Sequence, residues 1–270
     1  MLRGVFVFRR AATAIAAATL AITLLGFAVQ SASIPEAIAW KVTEAIVIDG
    51  NLDEWNLSSP IVIEREGQLI KRAESGVGIW SGPTDLSAKV YLMWDESNLY
   101  VAAEVIDDTP FMYREGFPLD EADSMILYFS TNPSADPGRG AYESTDFRVV
   151  FLIDNCYFDT GIDRSMVDDK RGIETQGMQG YEQVLDGYEC AVGGLEGGYT
   201  FEAKIPWSNF SSPEIPLFVP AKGMTIGFDV ELSDLDATCP GASTCSMAWV
   251  GDSTIITNPS KWGTLTFESA

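Results

Sequence analysis

Asp49, Asn51 and Asp53 stand two residues apart in "IVIDGNLDEW" (46–55), between the apolar run Ile46-Val47-Ile48 and Trp55. Carboxyl and amide oxygens at i, i+2 and i+4 match the first three ligand positions of an EF-hand loop. The match ends there, because Glu54 takes the place of the required glycine and Pro60 that of the bidentate glutamate. Two readings stay open: an isolated calcium site through Asp49 and Asp53, or an Asp-Gly turn between strands with Trp55 packed into a core. Asp107 and Asp108 in "IDDTP" (106–110) pose the same choice, since adjacent carboxylates repel unless a cation or an arginine offsets them. Asp234 and Asp236 in "SDLDATCPG" read likewise, and the acid-rich "DNCYFDTGIDRSMVDDKRG" (154–172) reads as a solvated or ion-dependent excursion.

Other chemistries are closed to this chain. It has no histidine, which removes Ser-His-Asp and Cys-His catalysis and histidine-ligated zinc. Hydrolysis by paired carboxylates stays open, although no pair with a definable separation stands out. With 17 basic against 39 acidic residues the net charge is −22, which repels phosphate backbones and excludes nucleic acid as a partner. The four cysteines, Cys156, Cys190, Cys239 and Cys245, lack zinc spacing and favour disulfides in an oxidising compartment. Of the three pairings, Cys239–Cys245 would pin a short Pro-Gly loop and Cys156–Cys190 would join neighbouring strands.

The elements that must position these residues are strands. Apolar side chains alternate with a period of two in "AKVYLMW" (88–94) and "LYVAAEV" (99–105), and "DESN" (95–98) turns between them, which predicts a hairpin. The same alternation runs through 124–130, 146–154, 199–205, 224–232, 246–250 and 263–269. In "FDVEL", Phe228, Val230 and Leu232 face a core and Asp229 and Glu231 face water, the pattern of antiparallel sheets packed face to face. No long stretch reads as an amphipathic helix. The expectation is all-β: a single antiparallel β-sandwich with Greek-key or jelly-roll-like connections. Trp94, Trp207, Trp249 and Trp262 read as core, whereas Trp80, in a glycine-rich loop, reads as exposed.

Residues 1–33 stand apart. Arg3, Arg9 and Arg10 precede an uncharged apolar run from Ala11 to Val29 and then Ser31-Ala32-Ser33, the layout of an export signal. About 20 apolar residues also suffice to span a bilayer, so a membrane anchor through residues 11–29 stays open. The working division is 1–33 as signal peptide or anchor and 34–270 as one β-sandwich, placed outside the cytoplasm, secreted or at the cell surface.

Seven pieces in order, "VIDGNLDEW" (47–55), "AKVYLMWDESNLYVAAEVIDD" (88–108), "DSMILYF" (123–129), "DFRVVF" (146–151), "GGYTFEAKIPW" (197–207), "GMTIGFDVELSD" (223–234) and "NPSKWGTLTF" (258–267), resemble the family 9 carbohydrate-binding modules within the DOMON-like β-sandwiches. The resemblance implies a non-catalytic sandwich that binds polysaccharide or oligosaccharide, often with calcium, and serves glycan breakdown by separate glycoside hydrolases. The family's two sugar-gripping tryptophans fall on Asp120 and Ile256 here, and a glutamate of its "DS" strand falls on Ile126. Only Arg148 matches a polar sugar contact. Phe111, Tyr113 and Phe117 in "TPFMYREGFP", with Trp80, are candidates for a displaced aromatic surface.

The candidate ligand-binding set is therefore Trp80, Phe111, Tyr113, Phe117 and Arg148, and the candidate calcium set is Asp49, Asp53, Asp107 and Asp108. The alternatives are a structural or partner-binding surface domain that has lost the sugar site, and a haem-binding electron-transfer domain ligated by Met93, Met112, Met125 or Met178.

Overall fold

The computed structural model describes residues 34–71, 79–112, 119–153, 173–177, 182–183, 185–236 and 244–269. Residues 1–33, and with them the signal or anchor segment, lie outside the described residues, as do Tyr113, Phe117, Cys156, Met178 and Cys239. Among the described residues no helix is long and apolar enough to cross a membrane.

Fourteen strands are described: β1 (Glu36–Lys41), β2 (Ile61–Ile63), β3 (Leu69–Lys71), β4 (Leu86–Trp94), β5 (Asn98–Asp107), β6 (Ser124–Ser130), β7 (Asp146–Leu152), β8 (Ile173–Gly177), β9 (Glu182–Gln183), β10 (Glu189–Leu195), β11 (Gly198–Pro206), β12 (Thr225–Asp234), β13 (Cys245–Ala248) and β14 (Gly263–Glu268). Hydrogen bonding follows the order β10-β11-β5-β4-β1-β14-β12-β6-β7-β8-β9, with β2 beside β4 and β13 between β12 and β3. All pairs are antiparallel except two. β1 runs parallel to β14 along Glu36–Trp40 and parallel to β4 along Ala39–Lys41, so this one strand joins the two layers.

The period-two pattern builds the core. Val90, Leu92 and Trp94 of β4, Val101, Ala103 and Val105 of β5, Leu127 and Phe129 of β6, and Phe228, Val230 and Leu232 of β12 meet in one buried cluster. The expected hairpin forms in register, with Trp94 opposite Leu99. Asp95 holds its turn by accepting the Ser97 and Asn98 amides at 2.6 and 2.7 Å. Trp94, Trp207 and Trp262 are buried, and Trp249 packs half-buried against the core.

The outer faces are not wet, contrary to the reading of "FDVEL". Asp229 and Glu231 are buried, as is every residue of β6 and β7. A second cluster of Ile126, Tyr128, Val150, Leu152, Ile255 and Trp262 covers that face. Asp229 accepts the Val230 amide, and Glu231 accepts the Tyr128 hydroxyl at 2.5 Å. Alternation alone cannot separate solvent from a covering loop, because both faces of such a strand are equally regular.

"IVIDGNLDEW" covers the outer face of the other layer. Ile46, Ile48 and Leu52 pack against Trp55, Tyr91, Met93 and Tyr100. Glu202 of β11 fastens this cover: its carboxylate accepts the amides of Asp49 at 3.0 Å and Gly50 at 2.5 Å, and the Trp55 indole N–H at 2.5 Å. Gly50 takes φ +90°, and a Cβ there would fall 2.6 Å from the Gly193 nitrogen, so loop and strand meet backbone to backbone.

Three donors on one buried acceptor make Glu202 the peg of this layer. Glu202→Ala is expected to cost about 3 kcal/mol, since charged acceptors contribute most and orphaned buried donors are expensive. Urea unfolding at pH 7 measures it, and a loss below about 0.5 kcal/mol would show the cover is held otherwise.

Candidate functional site

The ends of three strands gather carboxylates at one end of the sandwich. The chain from β5 delivers Asp107 and Asp108, β6 begins after Asp123, and β12 ends on Asp234 with Asp236 just beyond. Asp85 precedes β4. They form two triads, Asp107-Asp123-Asp234 and Asp85-Asp108-Asp236, whose carboxylate oxygens lie within 4.8 Å of one another in each. The first triad is wholly buried, whereas the second reaches solvent through Asp108.

Backbone amides orient the inner triad. Asp123 accepts the Met112 amide at 2.6 Å and the Leu235 amide at 2.7 Å, and Asp107 accepts the Thr109 amide at 2.8 Å. Phe111 takes φ +68°, a strained setting for a residue with a side chain, next to the Met112 amide that Asp123 receives. Asp234 accepts the Cys245 thiol at 3.4 Å through Oδ2, and its buried Oδ1 has no partner. Among the described residues no lysine or arginine pairs with Asp85, Asp107, Asp108, Asp123 or Asp234. Burial, reinforced by neighbouring carboxylates, therefore pushes the pKa of Asp107 up to about 6, of Asp234 to about 8 and of Asp123 to about 9. Hard oxygen donors, excess negative charge and an orphaned oxygen fit a divalent cation such as calcium, which takes six to eight oxygens.

Asp107 and Asp108 thus meet partners, Asp85, Asp123, Asp234 and Asp236, all of which come from other parts of the chain. Asp49 and Asp53 join neither triad. Asp49 accepts the Asn51 amide, and Asp53 accepts the Asn51 side-chain amide, so these oxygens build a turn. Asp49 and Asp53 therefore stand apart from the acidic end, on the turn between Ile48 and Trp55. Cys245 is a buried free thiol opposite Asp234 in the β12–β13 register, and its expected partner Cys239 lies outside the described residues.

Arg148 lies elsewhere, on the outer face of β7. Its Nη2 donates to Asp120 Oδ2 at 2.7 Å and its Nε to the Tyr128 hydroxyl at 3.3 Å, while Nη1 donates to no described residue. Burial opposes its charge, but Tyr128 and Asp120 outweigh burial and raise its pKa. Glu231 behind Tyr128 completes a fixed chain, Glu231–Tyr128–Arg148–Asp120. Trp80 and Phe111 do not join it. Both pack against the central core, Trp80 donating its indole N–H to the Leu86 carbonyl at 2.9 Å and Phe111 lying 5.4 Å from the Tyr199 ring. Both rings are half-buried there, and Tyr113 and Phe117, the other members of that candidate aromatic surface, lie outside the described residues. The haem reading meets an obstacle: Met125 lies in the central core and Met93 in the outer cluster.

A family model described as "Carbohydrate family 9 binding domain-like" matches residues 48–270. The chain belongs to this family. Members of the family are binding modules, not catalysts. The match runs through both the acidic end and the Arg148 face. An endo-1,4-beta-xylanase A of Thermotoga neapolitana is 29% identical over 224 residues, covering 81% of this chain and 17% of that protein. An exoglucanase XynX of Acetivibrio thermocellus is 24% identical over 217 residues, covering 80% and 16%. The chain thus spans about a sixth of the length of these relatives. Among solved structures, a family 9 carbohydrate-binding module of Caldicellulosiruptor kristjanssonii in complex with cellotriose superposes with TM-score 0.59 at 19% identity, covering 87% of this chain and 95% of that one. The same module with glucose gives TM-score 0.53 at 20% identity over 87% and 97%. These likenesses bear out the β-sandwich.

Raised carboxyl pKa values stabilise the fold fully below the unfolded carboxylate range, near 4, and that contribution is lost as pH climbs through about 6, 8 and 9. In EDTA the melting temperature is expected to fall between pH 5 and pH 9, and less steeply in Asp123→Asn. Scanning calorimetry reads this, and a flat or rising profile in EDTA would contradict the assignment.

Proposed function

We propose that the chain is an exported, non-catalytic module that binds neutral oligosaccharide or polysaccharide, with calcium at the acidic end of the sandwich. Its service is to glycan breakdown by separate glycoside hydrolases. Family membership across residues 48–270 supports the ligand class, and the neighbour solved with cellotriose points to a β-glucan as the first ligand to try. The observation that supports a sugar site is Arg148: a guanidinium held in place by Asp120 and Tyr128, whose Nη1 donates to no described residue. A fixed donor of this kind suits hydroxyl recognition, because its side-chain entropy is already lost.

Asp107, Asp123 and Asp234 would hold calcium. Its charge would neutralise carboxylates that otherwise take up protons, so the ion acts on the stability and geometry of the loops, not on a reaction. Extracellular placement rests on the export-signal layout of residues 1–33 and on the kinship with polysaccharide-degrading enzymes.

One observation favours a second reading, a surface domain that has lost its sugar site. Asp120, where the resemblance expects a gripping tryptophan, spends its carboxylate on Arg148, and Ile256, at the other gripping position, offers an exposed aliphatic side chain.

Isothermal titration separates the two. Cellotriose or xylotriose is expected to give saturable heat in calcium, weakened at least tenfold by Arg148→Ala, with Arg148→Lys as the milder control for folding. Absence of heat with both sugars, with and without calcium, would refute the sugar reading in favour of the second.

A further inference from the structure

Two kinds of donor hold the inner triad. Backbone amides hold Asp123 at both oxygens, from Met112 and Leu235, and Asp107 at Oδ1, from Thr109. Asp234 has no such amide. Among the described residues its carboxylate accepts one hydrogen bond, from the Cys245 thiol to Oδ2 at 3.4 Å. The register imposes this meeting: Cys245 and Asp234 are direct partners across β12 and β13, so their side chains stand on the same face. Both residues are buried.

A buried cysteine ordinarily packs as a small apolar residue with a weak S–H donor. Packing describes one side of Cys245, which joins the central core. Its other side meets a carboxylate whose second oxygen, Oδ1, is buried and without a partner. With Oδ2 taken by the thiol, Oδ1 is the oxygen left for a cation shared with Asp107 and Asp123, the two acids that converge on Asp234. Cys245 joins neither triad, so its sulfur acts through Asp234 and not on an ion. A weak neutral donor suits that task. It sets the rotation of the carboxylate without cancelling the charge that draws a cation, as a lysine or arginine would.

We infer that Cys245 is a positioning residue of the cation site: its thiol turns Asp234 so that Oδ1 is offered to an ion held with Asp107 and Asp123, and it thereby sets the affinity for that ion. This rests on the cation reading given above. Partners that orient a metal-binding side chain typically contribute about 10- to 100-fold in affinity. The requirement is for a proton donor of this size. Serine meets it, whereas valine fills the space without donating.

The test uses the full chain freed of metal, with terbium luminescence displaced by calcium to read ion affinity and the melting temperature in EDTA to read folding. Cys245→Val is expected to weaken calcium about tenfold or more, and Cys245→Ser to stay within about threefold of the unaltered protein. A role in packing alone predicts the reverse order, with serine harming and valine sparing the site. Where Cys245→Val fails to fold, Cys245→Ala, which fits the same space and lacks a donor, takes its place with the same expectation. The reverse order, equal effects of the two substitutions, or a cadmium–thiolate absorption band that disappears in Cys245→Ser and so makes the sulfur a ligand, overturns this inference alone. Absence of any ion signal in the unaltered protein overturns the cation reading and this inference with it.

Discussion

Carboxylates that cannot all be ionised in a dry interior set the terms for this molecule. Asp107, Asp123 and Asp234 end three different strand runs at one place, with no described basic residue paired to them. Their geometry depends on turns that have little other purpose: the left-handed Phe111, the Met112 and Leu235 amides aimed at Asp123, and Cys245 set opposite Asp234. Moving β5, β6 or β12 by one residue would turn each carboxylate to the other face of its sheet. The cluster therefore fixes register at this end of the sandwich as firmly as the apolar core fixes it in the middle.

Burial on both sides of each layer follows from the same economy of charge. Arg139 and Asp146 form a bidentate pair under the outer cluster, at 2.7 and 2.8 Å, and Arg139 also lies over the Trp262 ring. Arg148 and Asp120 are the second arginine–aspartate pair of that face. Arginine suits both places because its planar fork can meet a carboxylate and an aromatic ring together. Arg139 and Arg148 thus order the outer face of β7, while the carboxylates at the strand ends have no described basic partner.

The two layers were legible from sequence because Leu, Val and Phe alternate cleanly in β4, β5 and β12. Their outer clusters were not: Asp229 and Glu231 read as wet, and nothing in the alternation reveals that Trp262 and Ile255 fold over them. Asp107 and Asp108 stood out as an adjacent pair, whereas Asp85 and Asp123 are single acids whose role exists only through contacts more than ten residues away. "DGNLDE" left two readings open, an isolated calcium site or a turn packed by Trp55. Its spacing mimics a calcium loop, yet its amides are claimed by Glu202, 147 residues beyond Trp55 along the chain. An acid at a strand mouth followed by another strand's acid was the usable signal, and it lay in "IDDTP", "EADS" and "SDLD" together.

A crystal structure grown with calcium at neutral pH tests the central claim most directly. The account predicts a density peak 2.3–2.6 Å from oxygens of Asp107, Asp123 and Asp234. Carboxylates bonded only to each other through shared protons, or to an intruding lysine or arginine, with no ion between them, would contradict it.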